Sequence, residues 1–201
     1  MPFFRRGSSD EDGRWIVFGL GNPGDRSART RHNAGAVVVD ELLARTGTKL
    51  KSHKSGALVA EGSLAGERVV LARSTGYMNE SGRPLGQLVR FYKTSPEQVI
   101  VVHDELDIPF GEVRVKIGGG TAGHNGLKSV GNHLASKDFV RVRVGISRPT
   151  GHLDAADYVL QSFSGSERSR LGEIVERAAD AVERTLEAGI ERAMNEFNAR
   201  P

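Results

Sequence analysis

The sequence contains no cysteine, which excludes disulfide bonds and thiolate metal sites and agrees with a reducing compartment. It also has no run of roughly 18 consecutive apolar residues, the length that a membrane-spanning helix needs. The opening segment MPFFRRGSSDEDGR lacks the apolar centre of a signal peptide. These absences argue against export and against a membrane-spanning helix.

Aromatic residues are scarce, at 6% of the 201 residues, and neither sign of charge dominates. The chain is 38% hydrophobic and 26% charged, which is typical of a soluble globular protein. Its length is enough for one domain with a sizeable core. The formal net charge of +3 agrees with a polyanionic partner such as nucleic acid, and equally with an ordinary basic enzyme.

Strand-like and helix-like segments alternate along the chain. Residues 1–13 have no periodicity and predict a flexible N-terminal arm, which leaves residues 14–201 for the folded domain. The segment GALVAEGSLAGERVVLARS predicts a hairpin that turns at Ala65-Gly66. Helical patterns begin near Ala34, Pro84, His124 and Ser166. This order predicts a single α/β domain with a mixed, twisted sheet flanked by helices.

The stretch GLGNPG, which contains Asn22, matches the letters of a dinucleotide-binding turn but not its physical requirements. Pro23 removes a backbone N–H where a pyrophosphate needs donors. The next helix begins only after DRSARTRHN, so its N-terminus does not lie at the turn. We interpret the turn as a rim that presents the Asn22 amide, which is both a donor and an acceptor.

A histidine and an aspartate stand where an acid–base pair is expected. His32 begins a helix next to Asn33, a suitable N-cap, and the positive end of a helix favours the neutral imidazole that a general base needs. Asp104, in VIVVHDELD, ends a strand and is able to orient such a histidine. A structural histidine, a solvated acidic loop and a metal site at HDELD remain alternatives, although no second motif has ligand spacing.

Three asparagines, Asn22, Asn79 and Asn125, each lie between a strand and a helix. Neighbouring strands bring such ends together, and amides with one histidine and one aspartate indicate attack of water on an acyl group. The loop GGGTAG leads to a helix whose first N–H groups are candidates for an oxyanion or phosphate, with a flexible loop as the alternative. Basic candidates for binding phosphate are Lys116, Lys128, Arg141 and Arg143.

Six blocks together resemble the bacterial-type peptidyl-tRNA hydrolase family: GLGNPG, TRHNAG, YMNESG, HDELDIPFG, GGGTAGHNGLK and RVRVGISRP. The resemblance implies a monomeric cytoplasmic enzyme that hydrolyses the ester between a peptide and the 3′ end of tRNA. It implies peptidyl-tRNA as the partner, and neither a metal nor a cofactor. A non-catalytic RNA-binding relative of the same fold is the alternative, and a metal-dependent hydrolase is a third possibility.

The resemblance also implies residue roles. His32 matches the base that activates water, Asp104 the carboxylate that holds its imidazole, and Asn22 the amide that distinguishes N-blocked from free aminoacyl-tRNA. Substrate-positioning and tRNA-binding positions are matched by Tyr77, Asn79, Asn125, Lys116 and Arg143. Ser27 departs from the pattern, because a tyrosine is usual there.

Overall fold

The structure is a computed structural model, and it describes residues 13–199. Within that range seven strands form one sheet, and six α-helices cover it. The strands are β1 (Trp15–Gly19), β2 (Lys51–Ser52), β3 (Ala57–Leu64), β4 (Glu67–Ser74), β5 (Val99–Glu105), β6 (Val113–Ile117) and β7 (Val140–Gly145). The helices are α1 (Ala34–Thr46), α2 (Gly82–Phe91), α3 (Asn125–Leu134), α4 (Ala155–Val159), α5 (Gly165–Ala188) and α6 (Ile190–Phe197).

The sheet is mixed, with the strand order β2-β3-β4-β1-β5-β7-β6. The four central strands are mutually parallel, and the remaining pairings are antiparallel. Helices α1, α5 and α6 bury their apolar residues against one face of the sheet, and α2 and α3 cover the other. The predicted α/β fold is therefore confirmed. The arm predicted over residues 1–13 lies outside the described residues except for Gly13, and it stays a prediction.

Local turn chemistry accounts for several predicted boundaries. The β3–β4 hairpin turns at Ala65 and Gly66, both with positive φ, as the sequence predicts. Gly47 ends α1 in the left-handed conformation, with φ 65°. Helix α5 ends at Ala188, and Gly189 separates it from α6. The sequence analysis missed β2 and α4, whose two and five residues are too few to show a period.

The direction of β6 differs from what the active-site argument assumed. Because β6 is antiparallel to β7, Ile117 pairs with Val140 at the opposite edge of the sheet from the carboxyl ends of β1, β4 and β5. Residues 118–124 must therefore return across the sheet before α3 begins. Adjacent parallel strands explain the positions of Asn22, Asn79 and Asp104, but not that of Asn125.

Glycine allows α1 to approach β5 closely. A Cβ atom at Gly35 would lie only 2.1 Å from the carbonyl oxygen of Val102. The same turn is held to the end of β1, because the Ala36 N–H donates to the Leu20 carbonyl at 3.0 Å. Since His32 lies just before α1 and Asp104 lies at the end of β5, this approach brings the two side chains within reach of each other.

Replacing Gly35 by alanine is expected to lower the free energy of unfolding by roughly 1–3 kcal/mol, because backbone atoms must move to admit the methyl group. Urea denaturation measures the change. Gly172→Ala is the matched control: Gly172 lies in α5, and a Cβ atom added there would have no other atom within 4 Å. Alanine at that position is expected to add up to about 1 kcal/mol. Wild-type stability of Gly35→Ala would contradict the close-approach argument.

Candidate active site

The carboxyl ends of β1, β4 and β5 meet at a cavity of about 710 Å³. Five of the predicted site residues line it together with Asp104: Asn22, His32, Tyr77, Asn79 and Asn125. The structure thus brings together the residues predicted for catalysis and for binding the substrate's reacting end. Lys116 and Arg143 do not line this cavity.

His32 and Asp104 form a buried pair. The Nδ1 atom of His32 lies 3.1 and 3.0 Å from the two carboxylate oxygens of Asp104. His32 is 8% exposed and Asp104 is 2% exposed, so the predicted solvated acidic loop is wrong and Asp104 belongs to β5. A carboxylate only accepts, so Nδ1 of His32 carries the hydrogen, and in the neutral imidazole Nε2 keeps its lone pair.

The sequence analysis missed the second partner of Asp104. The Nδ1 atom of His124 accepts from the N–H groups of Gly126 and Leu127, at 3.1 and 3.4 Å. Its hydrogen is therefore on Nε2, which donates to Asp104 Oδ1 at 2.9 Å. Both ring nitrogens of His124 are occupied, so this residue orients Asp104 and the start of α3. The N-cap position of His124 was the available signal in the sequence.

The first N–H groups of α3 were predicted as candidates for an oxyanion or phosphate. That prediction is wrong for Gly126 and Leu127, whose N–H groups donate to the His124 side chain. A capping residue that satisfies these donors removes them from ligand binding. Asn125 remains exposed at the helix start and lines the cavity.

Asn22 is held by a pair of hydrogen bonds from Asn33. The Asn22 N–H donates to Asn33 Oδ1, and Asn33 Nδ2 donates to the Asn22 carbonyl, both at 2.9 Å. Asn33 is the N-cap residue of α1, as predicted, but its side chain makes no capping bond to the helix. Asn22 Oδ1 accepts from the Met78 N–H at 2.7 Å, which leaves the Nδ2 hydrogens as the free polar atoms of this amide.

Tyr77 and Asn79 form the rim on the β4 side. Tyr77 is 65% exposed although it lines the cavity, so its ring is available to a ligand. Asn79 lies in a single 3₁₀ turn, Met78–Glu80, and does not cap α2, which begins at Gly82 rather than near Pro84. The predicted capping alternative for Asn79 is therefore wrong.

The basic candidates divide into two groups. Arg141 is 3% exposed and donates to the carbonyls of Gly120 and Gly119 at 2.6 and 2.8 Å, so it anchors the returning loop instead of offering its charge to phosphate. Lys116 pairs in register with Arg141, and Arg143 donates to Glu105 at 3.2 Å. Lys116 and Arg143 are half-buried, on the outer strands beyond the cavity.

The donor atoms near Asp104 are arranged for hydrogen bonding rather than for a metal. One ligand atom each from His32, Asp104 and His124 lies within 4.8 Å of the others. However, the imidazole nitrogens that face the carboxylate carry hydrogens, and metal binding needs their lone pairs. Among the described residues, Asp104 is the one member of HDELD that belongs to this group, so HDELD does not itself form a cluster of metal ligands.

Burial and hydrogen bonding fix the charge states around the pair. Burial alone would raise the pKa of Asp104, but His124 and the hydrogen bonds from His124 and His32 lower it far below its ordinary range. Burial and the neighbouring His124 lower the pKa of His103 to about 3, so His103 is neutral. Its Nδ1 lies 2.7 Å from the Asp104 carbonyl and donates to it.

His103 is expected to make stability fall with acidification. A histidine in the unfolded chain has a pKa near 6.5, whereas the pKa of His103 in the native state is about 3. Between these pH values His103 is protonated in the unfolded chain but not in the native state, so acid favours unfolding. His103 contributes up to about 1.4 kcal/mol per pH unit to the slope of the free energy of unfolding against pH. Urea denaturation at several pH values should show a shallower loss for His103→Asn than for wild type. The exposed His152 gives the control, His152→Asn, and equal slopes in all three proteins would contradict the expectation.

The cavity has an apolar wall opposite its polar groups. This wall is defined as Leu106, the residue after β5, together with Ala155, Ala156 and Val159 of α4 and Leu160, the residue after α4. Helix α4 rests on a small cluster of Ile146, Val159 and Phe163. A polar reacting centre beside an apolar wall suits a substrate with an acyl group and a variable side chain.

Comparisons with known proteins indicate one family. The family model described as peptidyl-tRNA hydrolase matches residues 16–201. Peptidyl-tRNA hydrolases from Frankia alni and Mycobacterium avium are 54% and 55% identical, over 94% and 92% of this chain and 96% and 97% of theirs. The crystal structure of the Acinetobacter baumannii peptidyl-tRNA hydrolase superposes with a TM-score of 0.86 at 35% identity, covering 96% of this chain and 98% of that one. Among residues 13–199, no helix combines the length and apolar character needed to cross a membrane.

Proposed function

Because the chain belongs to the peptidyl-tRNA hydrolase family and hydrolyses peptidyl-tRNA, we propose that His32 is its general base. The observation that carries the proposal is the buried His32–Asp104 pair, which leaves the Nε2 lone pair of His32 unused at the cavity. A neutral imidazole whose other nitrogen donates to a carboxylate is the arrangement that accepts a proton from water.

In the proposed reaction, water attacks the ester carbonyl carbon while its proton passes to Nε2 of His32. The resulting imidazolium is stabilised by the Asp104 carboxylate, which stays ionised because its pKa is lowered. The tetrahedral intermediate then loses the ribose oxygen of tRNA as the carbon–oxygen bond breaks. The proton on His32 passes to that oxygen, which yields free tRNA and a peptide carboxylic acid, and the acid releases its remaining proton to solvent. Asn79 and Asn125 offer amides at the cavity rim for positioning water and substrate.

Asn22 supplies the proposed discrimination between blocked and free amino groups. Its Oδ1 is occupied by the Met78 N–H, so it offers only N–H donors to the cavity. An N-acylated substrate presents a carbonyl acceptor to such a donor, whereas a free α-ammonium presents only donors and a positive charge. The site therefore favours peptidyl-tRNA and N-blocked aminoacyl-tRNA over aminoacyl-tRNA.

A substrate comparison tests the proposed function. N-acetyl-aminoacyl-tRNA is expected to be hydrolysed far faster than the same tRNA with a free amino group, and EDTA is expected to leave the rate unchanged. Asn22→Asp keeps an acceptor for Met78 but replaces the donor by a negative oxygen, so the preference should shrink. Loss of activity with EDTA, or an unchanged preference in Asn22→Asp, would contradict the proposal. We also propose that the enzyme works as a cytoplasmic monomer.

Lys116 and Arg143 are proposed to hold tRNA phosphate away from the reacting ester. Lys116→Gln is expected to raise KM with little change in kcat, because the contact is made equally in the ground and transition states. The log–log dependence of tRNA affinity on salt should become less steep by about one unit. Fluorescence titration of tRNA binding at several salt concentrations measures this salt dependence. The exposed Lys51, on β2 at the far end of the sheet, gives the control Lys51→Gln, and identical salt slopes would argue against a phosphate contact.

A further inference from the structure

Arg31 directly precedes His32, yet its side chain is buried against the connection between α4 and α5. It is 6% exposed. Its guanidinium donates to the carbonyls of Gln161 and Ser162 at 3.3 and 3.1 Å and to the Glu167 carboxylate at 2.6 Å. It also lies 4.2 Å from the centre of the Tyr158 ring. One side chain thus joins the catalytic turn to the chain segment that follows the apolar wall.

The main chain makes the same connection. The Arg31 N–H donates to the Gln161 carbonyl at 3.1 Å, and Thr30 and Ser162 form an antiparallel bridge. Val159 and Leu160 of the apolar wall immediately precede these partners. Movement of the wall relative to His32 therefore requires that the contacts of Arg31 stretch or break.

Glu167 is a charged and well-held partner. Its Oε2 accepts both from Arg31 and from the Ser164 N–H, each at 2.6 Å, and the second bond belongs to the capping box of α5. Burial alone would raise the pKa of Glu167, but the bonds from Ser164 and Arg31 lower it below its ordinary range. The side chains of Arg31 and Glu167 are 7% and 16% exposed, so solvent screens this ion pair little.

The wall has few other attachments within the described residues. Helix α4 has five residues, and its one buried residue, Val159, forms a small cluster with Ile146 and Phe163, against which Leu106, Phe110, Tyr158 and Leu171 pack. The Tyr158 hydroxyl donates to the Ile146 carbonyl at 2.7 Å. Because Tyr158 also packs on Arg31, the same guanidinium supports this second attachment.

We infer that Arg31 is a positioning residue that sets the spacing between the His32 imidazole and the apolar wall, and thereby the preference for acyl groups with apolar side chains. The inference rests on the proposed function, which takes His32 as the base and the cavity as the seat of the acyl group. A planar guanidinium is required, because it reaches two carbonyls and a carboxylate at once, and a lysine ammonium does not reproduce that fork.

The test uses the full chain with Arg31→Lys, Glu167→Gln and the double variant. The substrates are one tRNA carrying either an N-acetyl-leucyl or an N-acetylglycyl group. For Arg31→Lys we expect KM to rise roughly three- to tenfold for the leucyl substrate and to stay within about a factor of two for the glycyl substrate. Glu167→Gln should also raise KM for the leucyl substrate relative to KM for the glycyl substrate. In the double variant this KM ratio should change by less than the product of the two single changes, because the residues act through one contact.

Arg45→Lys is the matched control. Arg45 binds Glu41, Asp180 and Glu183 and the carbonyl of Glu176, and it joins α1 to α5 outside the cavity lining. It should change the unfolding temperature without changing KM for either substrate. All rates are referred to folded protein, measured by thermal denaturation, because partial unfolding lowers kcat but leaves KM unchanged.

Three results would overturn the inference. One is an Arg31→Lys protein with lower stability but wild-type kinetics, another is equal KM increases for both acyl groups, and the third is equal behaviour of Arg31→Lys and Arg45→Lys. The wild-type rate on the N-acetylated substrates tests the proposed function independently. A normal wild-type rate with any of these three results would reject the role of Arg31 alone.

Discussion

Replacing His32 by alanine is expected to lower kcat for an N-acetylated aminoacyl-tRNA by roughly 10²- to 10⁴-fold, the range that a general base contributes. The expectation follows from the position of the ring: Nδ1 is used by Asp104 at 3.0 Å and Nε2 is at the cavity. With alanine, water must lose its proton without a base. The apolar wall and the tRNA contacts remain, so KM should change much less than kcat.

Single-turnover kinetics over a range of pH values measures this effect. His53→Ala is the control, because His53 is a half-buried ring that packs on Phe91 and lies outside the cavity lining. A folded His32→Ala protein with near wild-type kcat would disprove the assignment of the base.

Replacing Asp104 by asparagine is expected to lower kcat by roughly 10²- to 10³-fold, less than the loss of the base itself. The carboxylate accepts from both His32 and His124. An asparagine amide has one accepting oxygen and a donating nitrogen. Where Nδ2 replaces the oxygen that lies 3.0 Å from His32, that imidazole faces a donor, its hydrogen moves to Nε2 and the base is lost.

The kinetics of Asp104→Asn should be accompanied by a change in acid stability. Because the folded-state pKa of Asp104 is lowered, its charge contributes stability above an unfolded pKa of about 3.9 that is lost as pH falls below that value. In urea denaturation, Asp104→Asn should therefore show a smaller loss of the free energy of unfolding at acidic pH than wild type. Asp40→Asn, which removes a surface partner of Arg73, is the control. Unchanged kcat in Asp104→Asn would mean that the pair has no catalytic role.

Elements that depend on local chemistry could be predicted from the sequence. The alternation of apolar runs with helical periods predicts the α/β fold, and the Ala65-Gly66 turn predicts the β3–β4 hairpin. Helix stops at Gly47 and Gly189 follow from backbone conformations that favour glycine. The convergence of Asn22, Asn79 and Asp104 also follows from sequence, because β1, β4 and β5 are parallel strands that end at one edge.

The misassigned residues are those whose side chains have two possible partners. Asn33 is of a residue type that often caps a helix with its side chain. Its side-chain amide instead forms hydrogen bonds with the backbone of Asn22, eleven positions earlier. Arg141 lies in an alternating strand sequence, RVRVG, that is typical of a strand with one exposed basic face. Its guanidinium is nevertheless buried and donates to the carbonyls of the glycine loop. A local sequence pattern shows which hydrogen bonds such a side chain is able to make. The tertiary packing decides which neighbour becomes its partner.

The sequence by itself determined the layer architecture, the turns, and the edge of the sheet at which Asn22, His32 and Asp104 collect, because periodicity and turn chemistry act over a few neighbouring residues. Only the tertiary structure decided that His124 shares the Asp104 carboxylate with His32, since β6 runs antiparallel and a loop must return α3 to that edge. It likewise decided that Arg31, next to His32, donates to Glu167, 136 positions away. Hydrogen bonds between such distant residues form only where the packed core holds donor and acceptor within about 3 Å, and no local pattern encodes that distance.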